Sequence, residues 1–285
     1  MTAKPVLSRQ PPEDWSGEMG ERWLKHLAQF EGMIAPIGLA LLQQAGYREG
    51  ERVIDIGCGG GATTLEIGQQ VGGKGSVLGL DLSSTLVTAA TGRATAARMG
   101  QVSFRCGDAA TAPLEGPAFG RLFSRFGLMF FPDPYPAFAH LRTFLTRGGR
   151  ADFCVWAPPR ENQWIAEVMA LVREHAELPE TPPRTPGPFA LCEPDYTRDL
   201  LTRGGFTDIG IERWQGDQLI AGPGATAEEA ADFIFKAMSF GRMLESGGAE
   251  LQRQIRDGLG ALFRKQHDGT GVRTQASAWL VRALA

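Results

Sequence analysis

A chain of 285 residues with a formal net charge of −3 and 43% hydrophobic residues suits a single α/β domain with additions. That charge gives no general attraction for nucleic acid or an anionic membrane, and the apolar content excludes a disordered chain. No apolar run approaches the ~20 residues of a membrane span. The N-terminus shows no signal-peptide core. Cys58, Cys106, Cys154 and Cys192 stand apart, with no CxxC or HxxxH pair, so the expectation is reduced thiols in a cytoplasm and no metal site.

Residues 1–14 read as a loose arm with three prolines. Over 17–46, Trp23, Leu24, Leu27, Phe30, Ile34, Ile37 and Leu41 recur at helical spacing, with Pro36 as the expected break between two helices. Strands are then predicted at 52–56, 76–80, 101–105, 121–126 and 151–156, with helices at 62–71, 84–99 and 134–146. This alternation predicts a doubly wound, mainly parallel sheet. A helix at 163–176 follows, then a stretch with five prolines between 179 and 188, read either as a stiff connection or as part of a lid. A helix at 194–204, a strand at 207–214, helices at 226–245 and 249–267, and a last edge strand at 274–285 complete the prediction.

The stretch "RVIDIGCGGGATTLEIG" places Asp55 before a turn built on Gly57, Cys58, Gly59 and Gly61. Glycines there let a ligand approach the backbone, and the helix that follows offers free N–H groups to an anion. The same residues satisfy GxGxxA, so the loop alone does not separate a dinucleotide site from others. Asp81, followed by Leu82, ends the second predicted strand, where an acid accepts both hydroxyls of a ribose. Its structural alternative, a helix N-cap, is one that Ser83 and Ser84 can supply instead. Asp108 follows the third strand, where its carboxylate can accept from an adenine amino group while the Ala109 N–H faces a ring nitrogen. A plain turn aspartate is the alternative. The three acids fall in successive βα units and therefore along one edge of the sheet.

"VIDIGCGGG", "GLDLS", "CGDA" and "SRFGLMFFPDP", in that order and spacing, resemble the class I S-adenosylmethionine-dependent methyltransferases, in particular the small-molecule branch that includes the ubiquinone/menaquinone enzymes. The resemblance covers residues 50–156 and implies a seven-stranded Rossmann-like sheet whose last strand is antiparallel. It implies S-adenosylmethionine held at its methionine end by Asp55 and Gly57–Gly61, at the ribose by Asp81 and at the adenine by Asp108–Ala109, with S-adenosylhomocysteine as product. The chain departs from the family pattern at Gly120, where many relatives carry Asp, and at Arg147, where proline is usual.

The division expected on this basis is an N-terminal arm with capping helices (1–46) and a cofactor-binding methyltransferase domain (47–285). Insertions at about 157–190 and 215–270 are expected to form a lid. Ser124 and Phe126 fall beside the expected sulfonium position, and Phe126 either contacts the cation or walls the pocket. No catalytic base is identified. Candidates for a substrate role are His26, on a capping helix, and Arg125, which either binds an acidic substrate group or makes an outward salt bridge. Trp15, Trp23 and Trp164 are candidates for an acceptor pocket, or for ordinary core. Asp133 before Pro134 reads as a helix N-cap. Cys106, Cys154 and Cys192 could at most form a metalloid site of the kind some relatives use.

The function expected is methyl transfer by in-line displacement to a soluble small molecule. A nicotinamide-dependent oxidoreductase and a non-catalytic S-adenosylmethionine-binding protein are the alternatives. The methyl acceptor, the atom methylated and the oligomeric state are not specified by these motifs.

Overall fold

The structure is a computed structural model and describes residues 4–9, 11–114, 116 and 118–285. Seven strands form one sheet: β1 (Arg52–Ile56), β2 (Ser76–Asp81), β3 (Val102–Cys106), β4 (Phe119–Arg125), β5 (Leu145–Trp156), β6 (Thr207–Ile220) and β7 (Val272–Leu284). Their order across the sheet is β3-β2-β1-β4-β5-β7-β6. Strands β1 to β5 pair in parallel, and β7 runs antiparallel to both of its neighbours. The central strands read as near-continuous apolar runs because both faces are covered: Val53, Ile54, Leu122, Phe123, Phe153 and Val155 are buried.

The last strand is not at the edge, as its position in the sequence suggested. Strand β7 inserts between β5 and β6, and β6 becomes the border. Strand β6 leaves a gap beside β5, and β7 fills it, pairing antiparallel with both neighbours. Strand β6 also runs past residue 214 to Ile220, since β7 pairs with it as far as Ile220↔Val272.

Ten helices accompany the sheet among the described residues: α1 (Glu18–Lys25), α2 (Leu27–Ala45), α3 (Ala62–Val71), α4 (Ser84–Ala96), α5 (Pro134–Thr143), α6 (Gln163–His175), α7 (Pro194–Arg203), α8 (Ala227–Ala237), α9 (Ser239–Glu245) and α10 (Gly248–Gln266). The break in the first helical segment falls at His26, not at Pro36. Pro36 lies inside α2, where it costs one N–H bond. The helix runs on because Met33, Ile34, Ile37 and Leu41 are buried on both sides of it. Gly46 then ends α2 in a left-handed conformation.

The far end of α2 is fastened to the sheet by charge. Arg121 donates to Ala45 O at 2.6 Å and Asp152 Oδ2 at 3.0 Å, and Arg150 donates to the same carboxylate and to Gln44 O. This fixes the helix that walls the site described below.

Residues 1–3 and 10 of the N-terminal arm lie outside the described residues. The rest is less loose than its prolines suggest. Val6 bridges Glu177 in parallel, the Leu7 N–H donates to Glu177 O at 3.0 Å, and Leu7 is buried. At the departures noted above, the β4–β5 register shifts between Phe119 and Arg121, across Gly120. Beyond Arg147, the Gly148 N–H donates to Ala285 O. Asp133 is the N-cap of α5 with Pro134 at its first position, but its side chain makes no capping bond.

Candidate functional site

A cavity of about 390 Å³ opens at the C-terminal ends of β1, β2 and β4, beside the point where the strand order reverses. Gly57 and Gly59 line it where β1 turns toward α3. The turn is pinned to the next strand by the Gly57 N–H, which donates to Leu80 O at 2.8 Å. Gly57 has φ +66°, and a Cβ there would lie 2.8 Å from Gly127 Cα, so the loops after β1 and β4 touch through bare backbone.

Asp81 stands at the cavity edge at 8% exposure. Its Oδ2 accepts from the Gly59 N–H at 2.8 Å and its Oδ1 from the Ser83 N–H at 2.9 Å. Burial pushes its pKa above the usual carboxylate value. The N-cap of α4 is Ser83, whose hydroxyl accepts from the Leu86 N–H, so Asp81 is not needed for that role. Each Asp81 oxygen keeps lone pairs for a further donor.

Asp108 lines the cavity and also shapes its own turn, accepting from the Ala110 N–H at 2.9 Å and the Thr111 hydroxyl at 3.3 Å. Asp108 thus makes the turn bonds of a turn aspartate and also faces the cavity. Leu82 and Ala109 line the cavity beside these acids.

Four of the expected cofactor residues lie behind the cavity wall, and each has a packing reason. Asp55 is fully buried, and its Oδ2 accepts from the hydroxyls of Thr63 at 3.0 Å and Thr64 at 2.7 Å, which ties β1 to the first turn of α3. Its Oδ1 is buried without a hydrogen-bond partner among the described residues. Cys58 is buried and directs its thiol toward Gly59 O. Gly61 packs its Cα against Phe104 and Ala90. Ser124 is buried and donates to Ile56 O at 2.7 Å, joining the ends of β1 and β4. Thr63 and Thr64 were not singled out in the sequence, although the Thr-Thr pair directly after the glycines was the available signal.

Burial raises the Asp55 pKa from 3.8 to about 6. Because the folded value lies above the unfolded one, the stability this group contributes is complete below about pH 4 and is lost as pH rises through about 6. A shift of about 2 units corresponds to about 3 kcal/mol at ~1.4 kcal/mol per unit. Asp55→Asn removes this pH slope from the ligand-free protein. Urea unfolding from pH 4 to pH 8 checks it, and parallel profiles for the two proteins contradict it.

Much of the remaining wall is aromatic, with Met19, Met33, Ile34 and Met129 among the side chains beside the rings. Trp15 and Trp23 lie 5.5 Å apart, Trp15 meets Phe130 edge-on at 4.8 Å, and Trp23 stacks on Phe30 at 3.8 Å. On the other side Phe126 stacks on Trp156 at 4.3 Å, and Trp156 meets Trp164 at 5.5 Å. Phe126 has φ +63°, a strained conformation for a bulky residue that the stack on Trp156 helps to hold. Phe189, before α7, and Met238 with Phe240, at the start of α9, reach the same cavity. Trp15, Trp23 and Trp164 thus line it as their sequence positions allowed. Trp156, at the end of a predicted strand on this edge, was legible and missed, whereas Phe189 and Phe240 carry no motif.

His26 does not reach the cavity. It sits at the α1–α2 junction, its Nδ1 2.7 Å from Gln29 Oε1 and its ring edge-on to Phe233. Arg125 does line the cavity, and the alternative of an outward salt bridge is not what the structure shows. Cys154 is buried, its thiol pushed up to about 12, while Cys106 is exposed and Cys192 intermediate. No group of three or more His, Cys, Asp or Glu suited to a metal ion occurs among the described residues. Nor is any helix among them long and apolar enough to cross a membrane.

A glycine turn at the switch point of a doubly wound sheet, acids at the ends of successive strands and an aromatic chamber place an open cavity where doubly wound α/β proteins bind ligands. Residues 53–149 match the family model described as a methyltransferase domain. Over residues 53–149 the chain is similar to the class I, S-adenosylmethionine-dependent methyltransferases. It is 32% identical over 118 residues to aklanonic acid methyltransferase DauC of Streptomyces sp. (strain C5), covering 41% of this chain and 54% of that protein. It is 31% identical over 109 residues to demethylmenaquinone methyltransferase of Staphylococcus aureus (strain MRSA252), covering 38% of this chain and 44% of that protein. The matches thus span about half the length of these curated relatives. Among solved structures, phosphoethanolamine N-methyltransferase 2 of Haemonchus contortus, in complex with S-adenosylhomocysteine, shares the fold. Its TM-score is 0.55 at 16% identity, over 94% of this chain and 60% of that one.

Proposed function

We propose that this protein binds S-adenosylmethionine in the cavity and transfers its methyl group to a small-molecule acceptor, as an enzyme of the EC 2.1.1 type. The observation that carries the reading is the division of the cavity wall: loop backbone, Asp81 and Asp108 on one border, and elsewhere a wall that is aromatic and aliphatic apart from Glu13 and Arg125. That donor and acceptor set fits the cofactor. Asp81 retains lone pairs for two ribose hydroxyls, Asp108 and the Ala109 N–H suit an adenine edge, and the Gly57–Gly59 turn leaves its backbone bare for the methionine end. Asp55 acts on that end through charge from beneath the loop, its unpartnered Oδ1 favouring an ammonium.

The cofactor supplies an electrophilic methyl on a sulfonium. The chain's own contribution is to align and to keep water out. Phe126 and Trp156 present ring faces suited to a cation, and the tryptophans of α1 and α6 with the aromatics of the inserted segments hold an apolar acceptor. A general base is not required where the acceptor is already nucleophilic. The names of the curated relatives, one acting on aklanonic acid and one on demethylmenaquinone, support a small organic acceptor.

The test has two parts. S-adenosylhomocysteine is expected to raise the melting temperature and NADH to leave it unchanged; the reverse outcome would overturn the cofactor reading in favour of a nicotinamide enzyme. Labelled S-adenosylmethionine is then offered with phenols, quinols, carboxylic acids, amines and thiols. Turnover of at least one class is expected, and none across the panel would leave a binding protein.

A further inference from the structure

Arg125 is the only Lys, Arg or His among the described cavity-lining residues, and the other charged residues there, Glu13, Asp81 and Asp108, are acids. Its guanidinium is partly buried, yet it has neither a hydrogen bond nor an ion pair to any described residue. Asp55 lies within its electrostatic reach but takes its hydrogen bonds from Thr63 and Thr64. The side chain is nonetheless held in place. It crosses α2 at Gly38, where a Cβ would stand 2.9 Å from both Arg125 Cδ and Nη1. Half-buried cations are ordinarily paired, because desolvation without a partner is costly. A fixed guanidinium with free donors, facing an aromatic chamber, is a seat for an anionic oxygen.

We propose that Arg125 selects the methyl acceptor: an aromatic molecule carrying an anionic oxygen, a carboxylate or an ionised phenol or enol, whose ring lies among the tryptophans while the oxygen pairs with the guanidinium. The inference rests on the methyltransferase reading of the cavity and adds the charge of the acceptor to it. Arg125 orients the acceptor and takes no proton.

Calorimetric titration with 2-naphthoate and with 2-naphthalenemethanol, which share a ring and differ in charge, tests it with and without saturating S-adenosylhomocysteine. The wild-type protein is expected to bind the naphthoate at least roughly tenfold more tightly. R125Q abolishes the difference, R125K keeps part of it, and both retain wild-type affinity for S-adenosylhomocysteine. Equal binding of the two probes by the wild type, or a preference that survives in R125Q, overturns the proposal. A tenfold fall in S-adenosylhomocysteine affinity in R125Q also overturns it, assigning the guanidinium to the cofactor's own carboxylate. If the wild type does not bind S-adenosylhomocysteine at all, the methyltransferase reading fails. The comparison of probes without it then still decides whether Arg125 is an anion seat.

Discussion

Asp81→Ala is expected to weaken S-adenosylhomocysteine binding roughly ten- to a hundredfold in titration calorimetry, as loss of charge-assisted hydrogen bonds to the ribose requires. The carboxylate is placed for this by two backbone donors, the N–H groups of Gly59 and Ser83, one on each oxygen. Those donors orient the acid and leave lone pairs toward the cavity. Alanine therefore removes the ligand contact and frees the Gly59 N–H at once. Asp81→Asn separates the two effects: its amide oxygen still accepts from one N–H, but its nitrogen no longer accepts a hydroxyl. An intermediate affinity is expected for Asn. Unchanged affinity in both variants would show that the ribose lies elsewhere.

The second large effect is expected at Gly57. Alanine there meets Gly127 Cα at 2.8 Å while keeping φ near +66°, so strain and backbone overlap act together. Left-handed geometry alone costs a β-carbon residue roughly 1–2 kcal/mol. The overlap adds to that, because neither backbone can retreat: Gly127 is itself packed on Ile56 O, where its own Cβ would stand at 2.7 Å. A loss of at least about 2 kcal/mol is expected, read as a melting temperature lower by roughly 5 °C or more. Ligand binding weakens in step, since the displaced turn is the wall of the cavity. Gly59→Ala is the internal control. Its Cβ meets only Trp23 Nε1, at 3.8 Å, so the folding cost there is conformational, without overlap. Equal stability losses in the two variants would show that contact between the loops does not matter.

Much of this architecture was legible because it is local. The apolar runs of β1 and β2, the glycine turn and the start of α3 at Ala62 follow from steric rules that act within a few residues. Ser83 as the cap of α4 and Pro134 at the start of α5 are likewise near-neighbour effects. Errors arose where distant partners decide. Pro36 is tolerated because both sides of α2 are buried against other elements, and the helix breaks instead at His26. Strand β7 takes an inner position by pairing with β5 and β6, partners distant from it in the chain.

The same division runs through the site. The sequence by itself determined that Asp81 and Asp108 would meet at one sheet edge, since parallel strands joined by right-handed crossovers bring successive strand ends together. It determined as well that bare backbone would face them at Gly57 and Gly59. Only the tertiary structure decided that Asp55 is enclosed by Thr63 and Thr64, that His26 turns toward Phe233, and that Phe189 and Phe240 come onto a cavity set by strands distant in the chain. It alone left Arg125 without a hydrogen bond or ion pair among the described residues, set against Gly38. Burial and pairing depend on what arrives from elsewhere in the chain, and residue spacing records backbone geometry without recording those arrivals.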